Sequence, residues 1–171
     1  MVRVARFEKV SLRRFVADWV ATFPQQTVEQ AVAAYERIRL PERATSGSAG
    51  YDLFAPVGFE LGAGEGIKIP TGLRVLIEEG WVLTVYPRSG LGFKYRFQLD
   101  NSVGVIDSDY ARSDNEGHIF MRMTNDSREG KTLTVPSGTA FAQGIFLPFG
   151  ITVDDHAQGV RNGGLGSTTG H

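Results

Sequence analysis

From residue 41 onward the apolar side chains recur at every second position, and this period constrains the fold more than any other feature of the chain. Alternation of this kind is typical of β-strands that bury one face. The alternating or strand-like runs are 67–69, 73–77, 81–85, 119–124, 132–135 and 140–147, and glycine- or proline-containing turn signals separate them. Short strands at close spacing predict an all-β class, built as an antiparallel barrel or a double-sheet sandwich. The absence of βαβ alternation argues against Rossmann and TIM architectures.

The first forty residues have a different period and predict helices. Ser11 is a good N-cap for a helix whose apolar residues follow at helical spacing. Thr27 and Gln30 have the spacing of a capping box that opens a second helix, 28–37. The predicted organisation is a single domain, 1–171, with a helical N-terminal segment (1–40), a β core (41–153) and a flexible, glycine-rich C-terminal tail (154–171).

Composition argues against several classes of function. The net charge of −1 argues against general electrostatic binding of nucleic acid, which requires a basic surplus. The chain has no cysteine, and so no disulfide, thiolate nucleophile or cysteine zinc site. Charges occupy the N-terminus where a signal peptide needs an apolar run, and no run has the length of a membrane span. We therefore expect a cytoplasmic protein that binds neither nucleic acid nor membrane.

Polar, glycine-rich segments stand where the predicted strands begin or end. Asp52 leads into an apolar run, and a carboxylate there needs a cationic partner such as an arginine. Arg88, Ser89 and Gly90 present a guanidinium, a hydroxyl and a backbone N–H in succession, a set that binds phosphate well. Short Arg-Ser-Gly turns are also commonly structural, so this segment alone does not identify a phosphate site.

Further candidates follow along the chain. Asp107 and Asp109 leave a strand-like run, where they could hold a metal, position a water or cap a turn. Gln143 lies within an apolar strand and needs hydrogen-bond partners from the backbone or from a ligand. Segment 161–171 combines glycines, hydroxyls and one arginine. Such a tail can fold over a polyphosphate or fray in solvent, as most chain ends do.

The order and wording of these segments resemble the trimeric dUTPase family. Two phrases are close to its signature motifs, Gly-Ser-Ala-Gly-Tyr-Asp-Leu at 47–53 and Gly-Val-Ile-Asp-Ser-Asp-Tyr at 104–110. Five motifs in the family's order extend from Ala44 to Gly170. The N-terminal helices and residues 40–45 further resemble the branch found in Gram-positive bacteria and their phages.

The resemblance implies a β jelly roll that assembles as a homotrimer with shared active sites. Motifs two and four would come from one chain, motif three from a neighbour and the tail from the third chain. The implied reaction is hydrolysis of dUTP to dUMP and pyrophosphate, with Mg²⁺ held by the triphosphate and not directly by the protein. This activity would keep uracil out of DNA and supply dUMP for thymidylate synthesis.

The resemblance also implies individual roles. Asp107 would orient and deprotonate the water that attacks the α-phosphorus, since that water needs a general base. Asp52 would support Arg88 through an ion pair. Tyr110 would pack beneath the deoxyribose and leave no room for a 2′-hydroxyl. The residues implied to bind base, sugar or phosphates are Arg88, Ser89, Gly90, Asn101, Val105, Ile106, Tyr110, Gln143, Arg161, Leu165, Gly166 and Ser167. Asn101 and the 105–106 backbone would read uracil, and the tail would close as a lid over the outer phosphates.

Three departures from the family pattern limit what the resemblance implies. Leu165 stands where an aromatic residue usually stacks on the base, loop 111–118 replaces a shorter Arg-Gly-Glu continuation, and the interval from Arg161 to Leu165 is one residue shorter than in many members. Two other functions are weighed as alternatives. A dCTP deaminase is one alternative, but Arg122 stands where its glutamate would be, and arginine cannot shuttle the proton. A binder that grips a regulatory protein through loop 111–118 is another. We interpret His118 as an ordinary surface or loop histidine.

Overall fold

A computed structural model describes residues 1–161. In this part of the chain, short strands form most of the regular structure, and three α-helices accompany them. The elements in chain order are β1 (Ala5–Lys9), α1 (Leu12–Thr22), α2 (Val28–Glu36), β2 (Tyr51–Phe54), β3 (Phe59–Leu61), β4 (Gly66–Pro70), β5 (Leu73–Ile77), β6 (Trp81–Pro87), α3 (Ser89–Tyr95), β7 (Phe97–Leu99), β8 (Gly104–Ile106), a 3-10 turn (Tyr110–Arg112), β9 (Phe120–Asn125), β10 (Leu133–Val135) and β11 (Ala140–Pro148).

The strands form four antiparallel sheets. Their orders are β1-β5, β10-β3, β2-β11-β6-β8 and β4-β9-β7. The predicted mostly-β class is confirmed. Within residues 1–161 the sheets do not close into a barrel, and the jelly-roll topology stays a prediction.

Both predicted N-terminal helices are present, with the predicted caps. The Ser11 hydroxyl accepts a hydrogen bond from the Arg14 N–H at 3.1 Å. Thr27 and Gln30 form the reciprocal capping box. The apolar face of α1 is fully buried at Phe15 and Trp19. Burial of that face, more than helix propensity, stabilises α1.

Two elements differ from the sequence-based prediction. The segment 1–40 is not helical throughout, because β1 precedes α1 and pairs with β5 in the register Ala5 to Ile77. The Arg-Ser-Gly segment predicted as a turn is the start of α3, for which Arg88 is the N-cap.

The helices share one hydrophobic cluster with the strands. Phe15 and Trp19 of α1 belong to the same cluster as Leu53, Leu83 and Phe141 of the large sheet. The division into one domain with boundaries at 40 and 153 stays a prediction. Among the described residues, the helices fall short of the length and apolar character that crossing a membrane would require.

Candidate active site

Strand β6 organises the candidate site because it pairs on both edges with strands that carry site residues. On one edge it pairs with β11, with Gln143 opposite Tyr86. On the other edge it pairs with β8, with Gly104 opposite Val85 and Ile106 opposite Leu83. The strand registers therefore fix the positions of Gln143 and of the β8 residues relative to β6.

The carboxyl end of β6 forms a polar cluster that we call the Arg88 corner, made of Asp52, Arg88 and Gln143. The Arg88 Nε lies 3.3 Å from the Asp52 Oδ1, so the expected ion pair is present. Gln143 lies opposite Asp52 in the β11–β2 register, and its Nε2 donates to the Pro87 carbonyl at 3.3 Å. A Cβ at Gly50 would lie 2.7 Å from the Gln143 Oε1, so only glycine fits there without displacing the amide.

Ser89 and Gly90 extend this corner into solvent. Both are exposed in the first turn of α3, directly after Arg88. A Cβ at Gly90 would meet no atom within 4 Å. The guanidinium, the hydroxyl and the start of α3 thus face open space on one side of the chain, which suits an anionic ligand.

The exit of β8 forms a second cluster, the Asp107 end, made of Asp107, Asp109, Tyr110 and Arg161. The Arg161 guanidinium pairs with both carboxylates, through Nη2 to Asp107 and through Nε to Asp109 at 2.8 Å. The same guanidinium lies 5.8 Å from the centre of the Tyr110 ring. Arg161 therefore reaches motif three of its own chain, whereas the resemblance assigns the tail to another subunit's site.

Tyr110 is held from below. Its side chain is 2% exposed, and its hydroxyl donates to the His118 carbonyl at 2.8 Å while accepting from the Asn115 Nδ2 at 3.0 Å. Burial raises the pKa of the Tyr110 phenol. The ring is thus a fixed wall whose polar end is already satisfied, and it offers a ligand little more than steric contact.

His118 lies in the loop before β9, as one of the two predicted alternatives has it, but it is buried, so the alternative of a surface histidine is wrong. It is fully buried, its Nδ1 lies 2.6 Å from the Asp18 Oδ2, and its Nε2 accepts from the Gly72 N–H at 2.8 Å. Burial lowers the pKa of this imidazole, although the Asp18 carboxylate opposes that shift. The histidine joins α1, the turn before β5 and the loop that follows the Asp107 end.

A cavity of about 460 Å³ lies beside β8, within the size range of small-molecule sites. Three of the residues predicted to bind the nucleoside lie along β8 or next to it, and two of them, Asn101 and Ile106, line this cavity. Val105 does not line it, because its side chain alternates to the opposite face and is 54% exposed. Asp107 directly follows Ile106, so a carboxylate stands where the cavity wall ends.

Sequence reasoning missed the opposite wall of this cavity as part of a site. That wall is made of Lys68 and residues 119–122. Alternation predicts that Ile119 and Met121 face inward, but nothing in the local pattern predicts which strand they face. Arg122, the residue in place of a deaminase glutamate, belongs to this wall, and its Nε pairs with the Asp100 Oδ2 at 2.8 Å.

The structure does not bring the two clusters together within one chain. Continuing the β6–β8 register places Asp107 opposite Val82, six residues before Arg88. At about 3.3 Å per residue, Asp107 and Arg88 are separated by about 20 Å along β6. The Arg88 corner and the Asp107 end of the same chain are therefore too far apart to contact one phosphate group together.

Leu165, Gly166 and Ser167 lie outside the described residues. Within residues 1–161 there is no group of three or more His, Cys, Asp or Glu side chains that could hold a metal ion. The carboxylates of both clusters are instead paired with arginines.

A family model and curated proteins match most of this chain. A model of the dUTPase family matches residues 36–169. The deoxyuridine 5'-triphosphate nucleotidohydrolase of Lactococcus lactis subsp. lactis is 43% identical over 134 residues, covering 77% of this chain and 88% of that protein. Its counterpart in Tolumonas auensis is 41% identical over 140 residues, covering 77% of this chain and 88% of that protein.

Solved structures extend the likeness. The crystal structure of the dUTPase from Streptococcus mutans has a TM-score of 0.61 and 34% identity, covering 85% of this chain and 97% of that chain. The dUTPase of phage phi11 of S. aureus, in which a structural Mg(II) ion is coordinated, has a TM-score of 0.62 and 19% identity, covering 92% of this chain and 98% of that chain. At that identity the likeness shows the fold alone, and it carries no inference about a regulatory protein partner.

Proposed function

The chain belongs to the dUTPase family, and from that premise we propose that it hydrolyses dUTP to dUMP and pyrophosphate in active sites shared between the subunits of a homotrimer. The reaction removes a precursor of uracil in DNA and supplies dUMP for thymidylate synthesis. The observation that carries the proposal is a cavity of about 460 Å³ lined by Asn101 and Ile106. Asp107 is the next residue in the chain, about 20 Å along β6 from the phosphate-binding set at Arg88.

The nucleoside lies along β8. Its base sits at the Asn101 end, where a side-chain amide and the strand's backbone can read the edge of uracil. Its sugar sits toward Tyr110, whose ring is 2% exposed and, as the family resemblance implies, would exclude an added 2′-hydroxyl. This direction brings the α-phosphate to Asp107, directly beyond the cavity wall.

Asp107 is the general base. Its carboxylate accepts a proton from a water whose oxygen attacks the α-phosphorus, and the bond from that phosphorus to the bridging oxygen breaks as pyrophosphate leaves. The side chain is 49% exposed and is paired with Arg161. The triphosphate competes for this guanidinium, and its transfer to the phosphates frees the carboxylate to contact the water.

The outer phosphates are held by a neighbouring chain. Arg88 supplies a guanidinium already oriented by Asp52, and Ser89 and Gly90 add a hydroxyl and an N–H. Gln143 of the same corner helps to place the α-phosphate or the water. The tail then closes the site through Arg161, Leu165, Gly166 and Ser167, and this closure excludes bulk water.

Magnesium fits this arrangement as an ion carried by the nucleotide. The carboxylates of the two clusters are engaged with arginines and do not form a cage, so the phosphate oxygens would hold the ion without a direct protein ligand. When bound, Mg²⁺ neutralises charge that develops on the phosphates.

A substrate panel tests the reaction. The purified protein is given dUTP, dCTP, dTTP or UTP with Mg²⁺, and released pyrophosphate and ammonia are measured. We expect pyrophosphate from dUTP alone, and loss of that activity in Asp107→Asn. Ammonia from dCTP would favour the deaminase alternative, and an inactive protein that still folds would favour the binder.

A mixing experiment tests the shared site. Arg88→Ala and Asp107→Asn are each expected to be inactive as pure proteins. After co-refolding of equal amounts, about a quarter of the sites combine an intact Arg88 with an intact Asp107 from another chain. Activity should recover to about that fraction; no recovery would show that one chain supplies both residues.

A further inference from the structure

A buried chain of hydrogen bonds joins α1 to the sugar side of the proposed site, and the reaction as described does not use it. Asp18 of α1 contacts the His118 imidazole, and the His118 carbonyl accepts the Tyr110 hydroxyl. The partners Asp18 and His118 are 100 residues apart in sequence. A contact of this kind between the N-terminal segment and motif three is more than local loop structure.

Both ring nitrogens of His118 are committed. Because Nε2 accepts the Gly72 N–H at 2.8 Å, it carries no proton, so Nδ1 carries the proton and donates to the Asp18 Oδ2 at 2.6 Å. Arg14 holds Asp18 in turn, with its Nη2 2.7 Å from Oδ1 and its Nε 3.0 Å from Oδ2. The imidazole can therefore neither rotate nor flip without losing a buried hydrogen bond.

The loop between Tyr110 and His118 is fastened at a second point. Both carboxylate oxygens of Glu116 accept from Ser11, one from its backbone N–H and one from its hydroxyl, each at 2.7 Å. The backbone N–H bond is the main reason that the pKa of Glu116 lies below its usual range. Glu116 and Gly117 both have positive φ, and a Cβ at Gly117 would lie 2.6 Å from the Ala111 Cα. Helix α1 thus holds this loop at its N-cap and at Asp18.

We infer that His118, held by Asp18, is a positioning residue that fixes the depth of the Tyr110 ring and thereby sets how strongly the enzyme rejects ribonucleotides. The inference rests on the proposed function, because it assigns the selectivity of the same site. A ring whose hydroxyl is anchored cannot retreat to admit a 2′-hydroxyl. A ring with a loosened anchor can move away, and the kcat/KM for UTP then improves relative to that for dUTP.

The variants separate the two hydrogen bonds of the imidazole. His118→Asn keeps a donor near the Nδ1 position, and His118→Gln keeps an acceptor near the Nε2 position. Asp18→Ala removes the anchor, whereas Asp18→Asn keeps an oxygen that can accept the Nδ1–H. Asp126→Ala is the matched control, because it also removes a carboxylate paired with an arginine, here Arg96 at 3.0 Å, at an exposed position.

The measured quantity is the ratio of kcat/KM for dUTP to kcat/KM for UTP, with the melting temperature recorded separately. We expect this ratio to fall about tenfold in Asp18→Ala and His118→Gln, the order of effect of one buried hydrogen bond. Asp18→Asn should retain most of the ratio, and Asp126→Ala all of it. Where Asp18→Ala or His118→Gln does not fold, His118→Asn and Asn115→Ala loosen the same anchor more mildly and should lower the ratio by about threefold.

The outcomes are distinguishable. A wild-type protein that hydrolyses dUTP, together with variants whose two kcat/KM values fall by the same factor, would overturn this inference and leave the proposed function standing. A wild-type protein without dUTP hydrolysis would overturn both. A falling ratio with rescue by Asp18→Asn supports the positioning role.

Discussion

The two ends of β6 hold their site residues by different means. At the Arg88 corner, Asp52 and Gln143 occupy facing positions of paired strands, so the sheet register alone places them beside Arg88. At the Asp107 end, β8 has already finished, and loop contacts with Tyr110, His118 and Arg161 determine the geometry. The sheet therefore builds the Arg88 corner, whereas the Asp107 end depends on chain segments outside the sheet.

Substitution of Asp107 tests whether the Asp107 end supplies the general base, and it should have the largest effect. Asp107→Asn keeps the shape and removes the base, so kcat for dUTP should fall by about 10²–10⁴-fold with little change in KM. Asp109→Asn is the matched control, because Asp109 shares the Arg161 guanidinium but is not the proposed base. Steady-state pyrophosphate release measures both. Equal losses in the two variants would mean that the pairing with Arg161 matters and the base does not.

Gly72→Ala tests the turn whose N–H binds His118 behind the Asp107 end. The position has φ of 73°, and a Cβ there would lie 2.2 Å from the Ile38 Cδ1 and 3.0 Å from the Phe15 Cδ2. Overpacking and backbone strain together should lower the free energy of unfolding by about 2–4 kcal/mol. Gly64→Ala is the control, since its φ is 85° but its Cβ would meet nothing within 4 Å, and it should cost about 1 kcal/mol. Urea unfolding compares them; equal costs would contradict the close packing of Phe15 and Ile38 against this turn.

Gly50→Ala adds a methyl group at the Arg88 corner, next to Gln143. The added methyl would push the end of the flexible Gln143 side chain, which lies 2.7 Å away, and would leave the strands in place. We expect kcat/KM for dUTP to fall about tenfold, the cost of one misplaced hydrogen-bonding group, with an almost unchanged melting temperature. Gly47→Ala has nothing within 4 Å and should behave as wild type. A large loss of stability in Gly50→Ala would show that this corner is less independent than the registers indicate.

The smallest expected effect is a pH dependence of the folding stability. It arises from His118, behind the Asp107 end of β6. Burial holds the pKa of His118 below its unfolded value of 6.5, against the opposing influence of Asp18 and Glu116 and with the support of Arg14. The unfolded chain therefore takes up this proton first, so stability is full above about pH 6.5 and declines as the pH falls through the lower folded-state pKa. Thermal melts between pH 5 and 8 should show this decline in the wild type, and it should be weaker in His118→Asn. Identical profiles would rule out the buried neutral imidazole as the cause.

Local chemistry and the resemblance predicted the ion pair of the Arg88 corner. The period of two located most strands, and the need of Asp52 for a cation pointed to an arginine partner. It did not reveal α3, because three polar residues after a proline are as typical of a turn as of a first helical turn. It also missed β1, whose partner β5 lies more than sixty residues away and leaves no trace in the N-terminal pattern.

The Asp107 end was predictable only in part. Asp107 and Tyr110 stand out in the sequence through the resemblance, but the burial of His118 does not, because its loop is polar and its partners Asp18 and Gly72 lie 100 and 46 residues away. The far wall of the cavity depends likewise on the pairing of β4, β9 and β7. Pairings between distant segments are tertiary facts, and local periodicity carries no information about them.

The length of β6 has a consequence for how this catalyst responds to its own abundance. With the active site shared between subunits as proposed, a single unassembled chain carries two half-sites that are too far apart to act together, and we expect it to be inactive. Specific activity should then rise with the concentration of the protein in the cell and fall steeply on dilution, because the subunits separate.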